Sequence, residues 1–383
     1  MIESHLSLLL VVIPLLAAPV TAILPNGRLP WLLTLLVSWL CFAFAIWQFM
    51  LVMDGSVISY ELGGWAPPWG IEYRIDTVNA FVALIVTGMA AITLPYALRS
   101  VEQEIPEDKL SLFYATLLLC MDGLLGITLT GDIFNLFVFL EISSLSSYAL
   151  ISMGSQRRAL TAAYQYLIMG TIGATFLLIG IGLIYAETGT LNMMDLSSRL
   201  PAVFEHHTVH TAFAFIIVGV GLKLAMFPLH LWLPNAYTYA PSAVTVFLAA
   251  TATKVAVYVM LRLVFTVFSI SFAYVTPTND MFMLLGVLGV IVASVYAIKQ
   301  HDAKRLLAYS SVAQIGYILM GMGFASALGL TASVVHIFNH ALMKGALFMA
   351  VGALVYRIGY SQISQFKGLG RQMPWTFAAL VIA

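Results

Sequence analysis

Six ionisable residues lie inside apolar stretches long enough to cross a membrane, and they are the part of this sequence that could do chemistry. They are Glu141, Lys223, Lys254, His336, His340 and Lys344. A charge at the middle of a bilayer costs about 2.5–3.5 kcal/mol on insertion scales, so several of them must face one another or water. His336, His340 and Lys344 recur every four residues and therefore line one face of a helix.

Such a set of residues can pass protons. A carboxylate favours the charged form of a neighbouring lysine, whereas burial favours its neutral form, so a lysine between these effects exchanges a proton when a nearby charge changes. Histidine can pass protons between its two nitrogens near neutral pH. The alternative for Glu141 is a structural ion pair with one lysine, which leaves the other charges unexplained. The alternative for His336 and His340 is packing beside Ser333 and Asn339.

Motifs for metals, nucleotides and redox centres are missing from the sequence. No HExxH glutamate accompanies the His336–His340 pair, and two histidines four apart on one helix cannot cap both faces of a haem. The sequence has no G-x-x-x-x-G-K-[ST], no GxGxxG after a strand and no cysteine set for iron–sulfur, since Cys41 and Cys120 are far apart. We therefore predict no cofactor, no metal, and no redox or hydrolytic chemistry in this chain.

The stretch from Gly221 to Pro241 must position Lys223. It begins as an apolar helix and is interrupted by Pro228 and Pro234. A proline inside a helix removes one backbone hydrogen bond and clashes with the preceding turn. Broken helices are tolerated at membrane depth where the freed backbone lines a cavity. We therefore predict that the seventh helix is broken and that water reaches Lys223.

The composition is that of an integral membrane protein. Of 383 residues, 61% are hydrophobic and only 9% charged, and the 17 basic and 17 acidic residues leave no basic surface for nucleic acid. Eleven apolar runs are long enough to span a bilayer. They lie near 6–25, 31–53, 76–98, 110–130, 133–153, 160–186, 211–233, 242–268, 281–298, 306–324 and 330–356. A twelfth begins at Pro374 and stops too early to cross, so we expect a fragment of a longer protein. The first run lacks the Lys or Arg of a signal peptide and is interpreted as a spanning helix.

Lysine and arginine are concentrated in alternate loops, which places the N-terminus outside. The predicted inner side holds Arg28, Arg99, Lys109, Arg157, Arg158, Lys299, Lys304, Arg305, Arg357, Lys367 and Arg371. The outer loops hold Arg74 and Arg199, with Arg262 near an outer helix end. We expect the outer histidines to be solvated: His206, His207 and His210.

Five motifs between residues 110 and 372 are together specific enough to indicate a family. They are Phe139-Leu-Glu-Ile-Ser-Ser, Lys223 with Pro-Leu-His-Leu-Trp-Leu-Pro-Asn-Ala, Ala240-Pro-Ser-Ala-Val through Thr253-Lys254, Asp302-Ala-Lys-Arg-Leu-Leu-Ala-Tyr-Ser-Ser, and His340-Ala-Leu-Met-Lys344. In this order they resemble the antiporter-like membrane subunits shared by Mrp-type cation/proton antiporters, complex I (its L, M and N subunits) and membrane-bound hydrogenases. The Thr188-Gly-Thr-Leu-Asn-Met-Met segment is more similar to the Mrp D type.

The resemblance implies an all-α, polytopic membrane helix bundle of about fourteen helices with two inverted five-helix repeats. The corresponding division is residues 1–109 for three N-terminal helices, 110–268 for the first repeat and 281–383 for a second repeat that is truncated in the twelfth helix. Only a faint internal echo, Ser143–Ser152 against Ser310–Gly321, supports the repeats in the sequence itself.

The resemblance also implies roles for the buried residues. Glu141 corresponds to the glutamate that pairs with the seventh-helix lysine, here Lys223, and Lys254 to the lysine that carries the relay onward. The eleventh-helix residues match a central hydrophilic axis: His336, His340 and Lys344. Family members have a second broken helix, the twelfth, with its own lysine or glutamate.

The function implied is proton translocation in the membrane subunit of a multisubunit Mrp-type Na+/H+ antiporter. Its setting would be a bacterial inner membrane, with lipid and other membrane subunits as partners and protons with Na+ or K+ as the ions. The alternative is a proton-pumping subunit of NADH-quinone oxidoreductase (complex I) or of a membrane-bound hydrogenase. A structural scaffold without transport is a third possibility.

Overall fold

Helices that cross a membrane make up most of the molecule. The computed structural model describes residues 5–383, and the chain is 81% helical. Eleven helical segments in this range are long and apolar enough to span a bilayer, which confirms the predicted all-α, multi-pass class.

The first half of the bundle contains eight helices and one hairpin. The helices are α1 (Leu6–Ile23), α2 (Arg28–Leu51), α3 (Thr77–Glu104), α4 (Leu110–Leu129), α5 (Ile133–Ser152), α6 (Arg158–Thr188), the short α7 (Met193–Arg199) and α8 (His207–Leu224). The strands β1 (Ile58–Glu61) and β2 (Glu72–Ile75) form an antiparallel pair in the loop between α2 and α3, with Ile58 opposite Ile75.

The second half contains nine helices. They are α9 (Trp232–Tyr239), α10 (Ser242–Ala250), α11 (Ala252–Leu261), α12 (Ser269–Val275), α13 (Thr278–Ile298), α14 (Ala303–Gly323), α15 (Ala327–Ile358), α16 (Leu369–Gln372) and α17 (Pro374–Ile382). A π-helical segment, Arg262–Val267, follows α11. Short 3-10 turns occur at Leu62–Gly64, Glu107–Lys109, Leu200–Val203 and Ile363–Phe366.

The span made of α10 and α11 is the most buried of the eleven and forms the centre of the bundle. It packs against α3, α4, α8 and α15. In contrast, α2 and α13 leave most of their surface exposed, as expected for helices that face lipid or other subunits. A charged residue on α10 or α11 is therefore shielded from lipid on every side.

The seventh span is broken, as predicted. The helix α8 ends at Leu224, and Ala225 takes a left-handed conformation with φ of 59°. Pro228 lies in the turns that follow, and Pro234 is the third residue of α9. The break places the end of α8, with Lys223, inside the bundle.

The eighth span, predicted near residues 242–268 and found at Ser242–Val267, is also interrupted. Thr251 separates α10 from α11 with φ of −122° and ψ of −57°. Its hydroxyl donates to the carbonyl oxygen of Phe247 at 2.7 Å. Back-bonding of this kind bends helices. The carbonyl groups just before Thr251 are thereby freed for other partners.

Two polar turns, each with an aspartate that caps the following helix, lie at opposite ends of the bundle. Asp132 caps α5 by accepting a hydrogen bond from the backbone nitrogen of Asn135 at 2.7 Å. Asp302 caps α14 in the same way, with the backbone nitrogen of Arg305 at 3.0 Å. Each aspartate also pairs with the segment after the next long helix. These pairs are Asp132 with Asn192 and Asp302 with Gln362. In both pairs the two partners are the same number of residues apart in the sequence.

The helices α6 and α8 approach closely at two glycines, Gly173 and Gly219. A methyl group on Gly219 would lie 2.6 Å from the carbonyl oxygen of Gly173 and 2.7 Å from the backbone nitrogen of Leu177. Since neither backbone atom can move aside, Gly219→Ala should destabilise the protein by about 1–3 kcal/mol. Thermal unfolding in detergent measures this loss.

Gly182→Ala is the matched control for the glycine prediction. Gly182 is also in α6, but nothing lies within 4 Å of a methyl group added there. We expect this variant to unfold at or slightly above the wild-type temperature, because alanine is the better helix former. Equal melting temperatures for the two variants would contradict close packing of α6 on α8.

Candidate functional site

Lys223 lies in a polar pocket between α8 and α5. Its side chain is only 5% exposed, and its Nζ is 3.3 Å from Oε1 of Glu141. The Nζ also donates to the hydroxyl of Ser144 at 2.7 Å and to that of Tyr148 at 3.4 Å. The ammonium group therefore has a charged partner and two neutral ones, all on α5.

The end of α8 adds to this environment. Lys223 is in the last turn of α8, where the negative end of the helix dipole favours a cation. The indole nitrogen of Trp232, on α9, donates to the carbonyl oxygen of Leu222 at 2.9 Å. Trp232 also stacks on Tyr166, with 3.8 Å between the ring centroids. Tyr166 in turn packs edge-on against Tyr148, with 4.6 Å between the ring centroids. Contacts thus connect the second half of the broken span to Lys223.

Lys254 lies at the interruption of the central span and is buried. Its Nζ donates to the carbonyl oxygen of Ala249, one of the groups freed at Thr251. It is 3.4 Å from the hydroxyl of Thr253 and 3.5 Å from Nε2 of His340. The broken helix thus supplies a backbone partner, and α15 supplies an imidazole.

The face of α15 predicted to be hydrophilic points toward α11 and α14. His340 is fully buried and stacks on His336 at 6.1 Å between ring centroids. Nε2 of His336 is 2.8 Å from the side-chain oxygen of Gln314 on α14. Lys344 donates to the carbonyl oxygen of Leu307 at 3.1 Å and to the hydroxyl of Ser310 at 2.8 Å. All three residues predicted on this face therefore take part in polar contacts.

The predicted site residues form two clusters. Glu141 and Lys223 make up the first, and Lys254 and the α15 residues make up the second. Among residues 5–383, no hydrogen bond joins Lys223 to Lys254, but a cavity of about 30 Å³ lies between α5, α8 and α11. It is lined by Lys223 and Ser144 on one side and Ala252 of α11 on another. A cavity of this size holds about one or two waters.

Several partners of the site do not follow from the sequence. Ser144 is part of a family motif, but the motif does not identify it as the nearest partner of Lys223. The run of serines in α5 is the available signal, because hydroxyl groups are unusual neighbours for one another in a spanning helix. The sequence places Lys304 among the inner-loop charges, but it is buried in the first turn of α14.

Other polar residues lie outside the two clusters. Asp122, in the middle of α4, is buried, and neither of its carboxyl oxygens has a hydrogen-bond partner within the part of the chain that the structure describes. His206, just before α8, is exposed and contacts the carboxylate of Glu187 at 2.9 Å.

Fold and site together define a multi-pass membrane protein with ionisable groups held at two helix interruptions inside the bundle. A family model described as "NADH:quinone oxidoreductase/Mrp antiporter, TM" matches residues 130–383. The chain belongs to this family, as its motifs indicated.

Relatives of two kinds are similar to the chain. The N subunit of the NADH-quinone oxidoreductase of Desulforudis audaxviator is 40% identical over 383 residues, which is 99% of this chain and 76% of that protein. The D subunit of the Na(+)/H(+) antiporter of Alkalihalophilus pseudofirmus is 29% identical over 324 residues, which is 85% of this chain and 64% of that protein. The chain thus spans only part of the length of each.

Two solved complexes contain chains with the same fold. One is the Mrp complex from Dietzia sp. DQ12-45-1b, with a TM-score of 0.91 and 29% identity, covering 100% of this chain and 70% of that chain. The other is the membrane-bound sulfane sulfur reductase, an archaeal respiratory membrane complex. Its matching chain has a TM-score of 0.90 and 32% identity, and the match covers 99% of this chain and 77% of that chain. These relatives are subunits of multisubunit membrane complexes.

Proposed function

We propose that this chain is the proton-translocating subunit of a multisubunit Mrp-type antiporter that exchanges Na+ or K+ for protons, with Na+ as the first candidate. The observation that carries the proposal is the buried ammonium of Lys223 beside Glu141 at a broken helix. A buried charge of this kind is costly unless it has a role. The similarity to one component of an Na(+)/H(+) antiporter and to the Mrp complex supports the choice of reaction.

In the proposed mechanism, the Glu141–Lys223 pair is the gate. When a nearby charge changes, Lys223 leaves Glu141 for the hydroxyl groups of Ser144 and Tyr148, which are already within reach. The proton released by Lys223 passes through water in the small cavity toward Lys254, and protons can also move in the reverse direction. The second cluster then carries protons from Lys254 to His340 and His336.

The two halves of the bundle are proposed to be inverted repeats, with residues 1–109 as an N-terminal addition. Support comes from the two aspartate-capped turns, because Asp132 and Asp302 have equivalent partners at a constant spacing. Under this proposal α17 corresponds to α8. The orientation proposed from loop charges, with the N-terminus outside a bacterial inner membrane, puts the Asp302 turn on the cytoplasmic side.

A second candidate function is proton pumping in a redox-driven complex of the NADH-quinone oxidoreductase type. The 40% identity to a protein named as the N subunit of such a complex favours it. The buried residues of this chain would do the same work, but electron transfer in partner subunits would drive them.

The native assembly separates the two candidates. Purified complex should be examined for iron–sulfur absorbance, and the same complex in inside-out vesicles should be tested for proton movement on addition of Na+ or K+. The proposed function predicts cation-driven proton movement without iron–sulfur absorbance. Iron–sulfur absorbance, together with proton movement that needs an electron donor, would instead establish the redox-driven complex.

A further inference from the structure

A polar cavity lies at the end of the bundle where α3 ends and α14 begins. Its volume is about 190 Å³, enough for about six waters at roughly 30 Å³ each. Glu104, Gln156, Thr238 and Lys304 are among the residues that line it. The positive-inside orientation makes this the cytoplasmic end. Neither cluster of the proposed relay lines the cavity.

Lys304 is the unusual residue of this cavity. It is only 5% exposed, and its Nζ donates to the hydroxyl of Ser242 at 3.0 Å and to the carbonyl oxygen of Ala240 at 3.4 Å. In the described range, residues 5–383, no carboxylate lies within 4.0 Å of it. The ammonium group of Lys304 is therefore held by neutral groups at the wall of the cavity, without a direct ion pair in this range.

Glu104 is the nearby acid, and Ser242 connects it to Lys304. The Oε2 of Glu104 accepts from the backbone nitrogen of Ser242 at 2.8 Å, while the Ser242 hydroxyl accepts from Lys304. The Oε1 of Glu104 accepts from the hydroxyl of Ser100 at 2.9 Å. Ser242 is the first residue of α10, and a helix N-terminus favours a carboxylate. Glu104 is half-buried, so water in the cavity still reaches it.

The cavity also lies close to the second cluster of the relay. Lys304, Leu307 and Ser310 follow one another at helical spacing on α14, and Lys344 bonds to both Leu307 and Ser310. Six residues of helix, about 9 Å of rise, separate Lys304 from Ser310. One face of α14 therefore connects the cavity to Lys344.

We infer that Glu104 and Lys304 form the cytoplasmic inlet for protons. The carboxylate of Glu104 takes a proton from hydronium in the cavity and is regenerated when that proton passes along α14 to the neutral amine of Lys344. Lys304 holds the hydroxyl of Ser242, whose backbone nitrogen donates to Glu104, and so keeps that carboxylate at the wall of the cavity. The inference depends on the proposed function, because it supplies protons to the same relay.

Cysteine labelling tests the location of the inlet without depending on transport. The two natural cysteines, Cys41 and Cys120, are both 0% exposed, so they give little background. In the assembled complex, Glu104→Cys should react with a membrane-impermeant, negatively charged methanethiosulfonate reagent added on the cytoplasmic side. It should not react when the reagent is added on the outer side. Reaction from the outer side only, or no reaction, would overturn the inlet.

The transport test uses Glu104→Gln with Glu102→Gln as the matched control. Glu102 is on the same helix, two residues away, but is exposed at the surface beside Arg28. Loss of a proton-transfer group should slow cation-driven proton movement at least about tenfold in Glu104→Gln, and the control should keep the wild-type rate. Wild-type rates in both variants would overturn the inlet at Glu104 but would leave the proposed function standing. A wild-type complex without proton movement would instead contradict the proposed function, whatever the labelling result.

Discussion

Replacing Lys223 by alanine is expected to reduce cation-driven proton movement at least about 100-fold in vesicles that contain the assembled complex. The physical reason is that Lys223 is the only basic group in contact with Glu141 within residues 5–383, so no other side chain can exchange a proton with it there. Glu141→Ala should have the same effect. Proton movement is measured with a pH-sensitive dye after addition of Na+ or K+.

The controls for this prediction separate transport from assembly. Lys223→Ala leaves a partly buried carboxylate without its partner, which can destabilise the protein. The double variant Glu141→Gln, Lys223→Met removes both charges and should assemble at the wild-type level while remaining inactive. Lys367→Ala changes an exposed lysine on the same chain and should have no effect on transport. Full activity of either single variant would show that the pair has no part in proton transfer.

Lys254→Met is expected to reduce proton movement about 100-fold while assembly stays normal. Lys254 is the only residue in the described part of the chain whose ammonium group contacts His340, so its loss separates the α15 histidines from the central span. Replacing a buried charge by an apolar side chain of similar size is often neutral or stabilising. The protein should therefore keep its stability while transport is lost.

The measurement for Lys254 compares the amount of complex in the membrane with the initial rate of proton movement. Lys109→Met, at an exposed position near the start of α4, is the matched control and should behave as wild type. Wild-type transport by Lys254→Met would mean that protons do not pass between the central span and α15.

Much of the site was predictable because charges are rare in apolar helices. Glu141, Lys223 and Lys254 stand out by their position inside spanning runs, and proline identifies the break near Lys223. The pairing of Lys223 with Glu141 came from resemblance to a family, and the structure brings the two side chains together. Each of these features is either local in the sequence or fixed by the cost of a charge in lipid.

The rest of the site depends on how helices pack and rotate. Thr251 interrupts α10 and α11, but a single threonine in an apolar helix carries no signal as strong as proline. Lys304 stands at the start of a helix, where a lysine is ordinarily solvated, and its burial beside Ala240 and Ser242 depends on tertiary packing. The position of the small cavity beside Lys223 likewise depends on which faces of α8 and α11 meet.

The division into two clusters changes how a relay must work. Direct transfer from Lys223 to Lys254 would require contact, whereas a cavity for one or two waters permits transfer only when water is present. Ser144 and Tyr148 then have a definite role, since they can hold the ammonium group when Glu141 releases it. The Glu141–Lys223 pair and the small cavity lie next to each other, and Tyr166, on which Trp232 of α9 stacks, lines that cavity, so a movement of α9 would affect both.

The central claim is that Lys223 gives up and regains a proton, and Lys223→Arg tests it most directly. Arginine keeps a positive charge beside Glu141 but is not deprotonated in proteins. The measurement is the initial rate of cation-driven proton movement by the assembled Lys223→Arg complex in inside-out vesicles. The account predicts a rate as low as that of Lys223→Ala. A rate equal to that of the wild type would show that the ion pair is structural and that protons take another path.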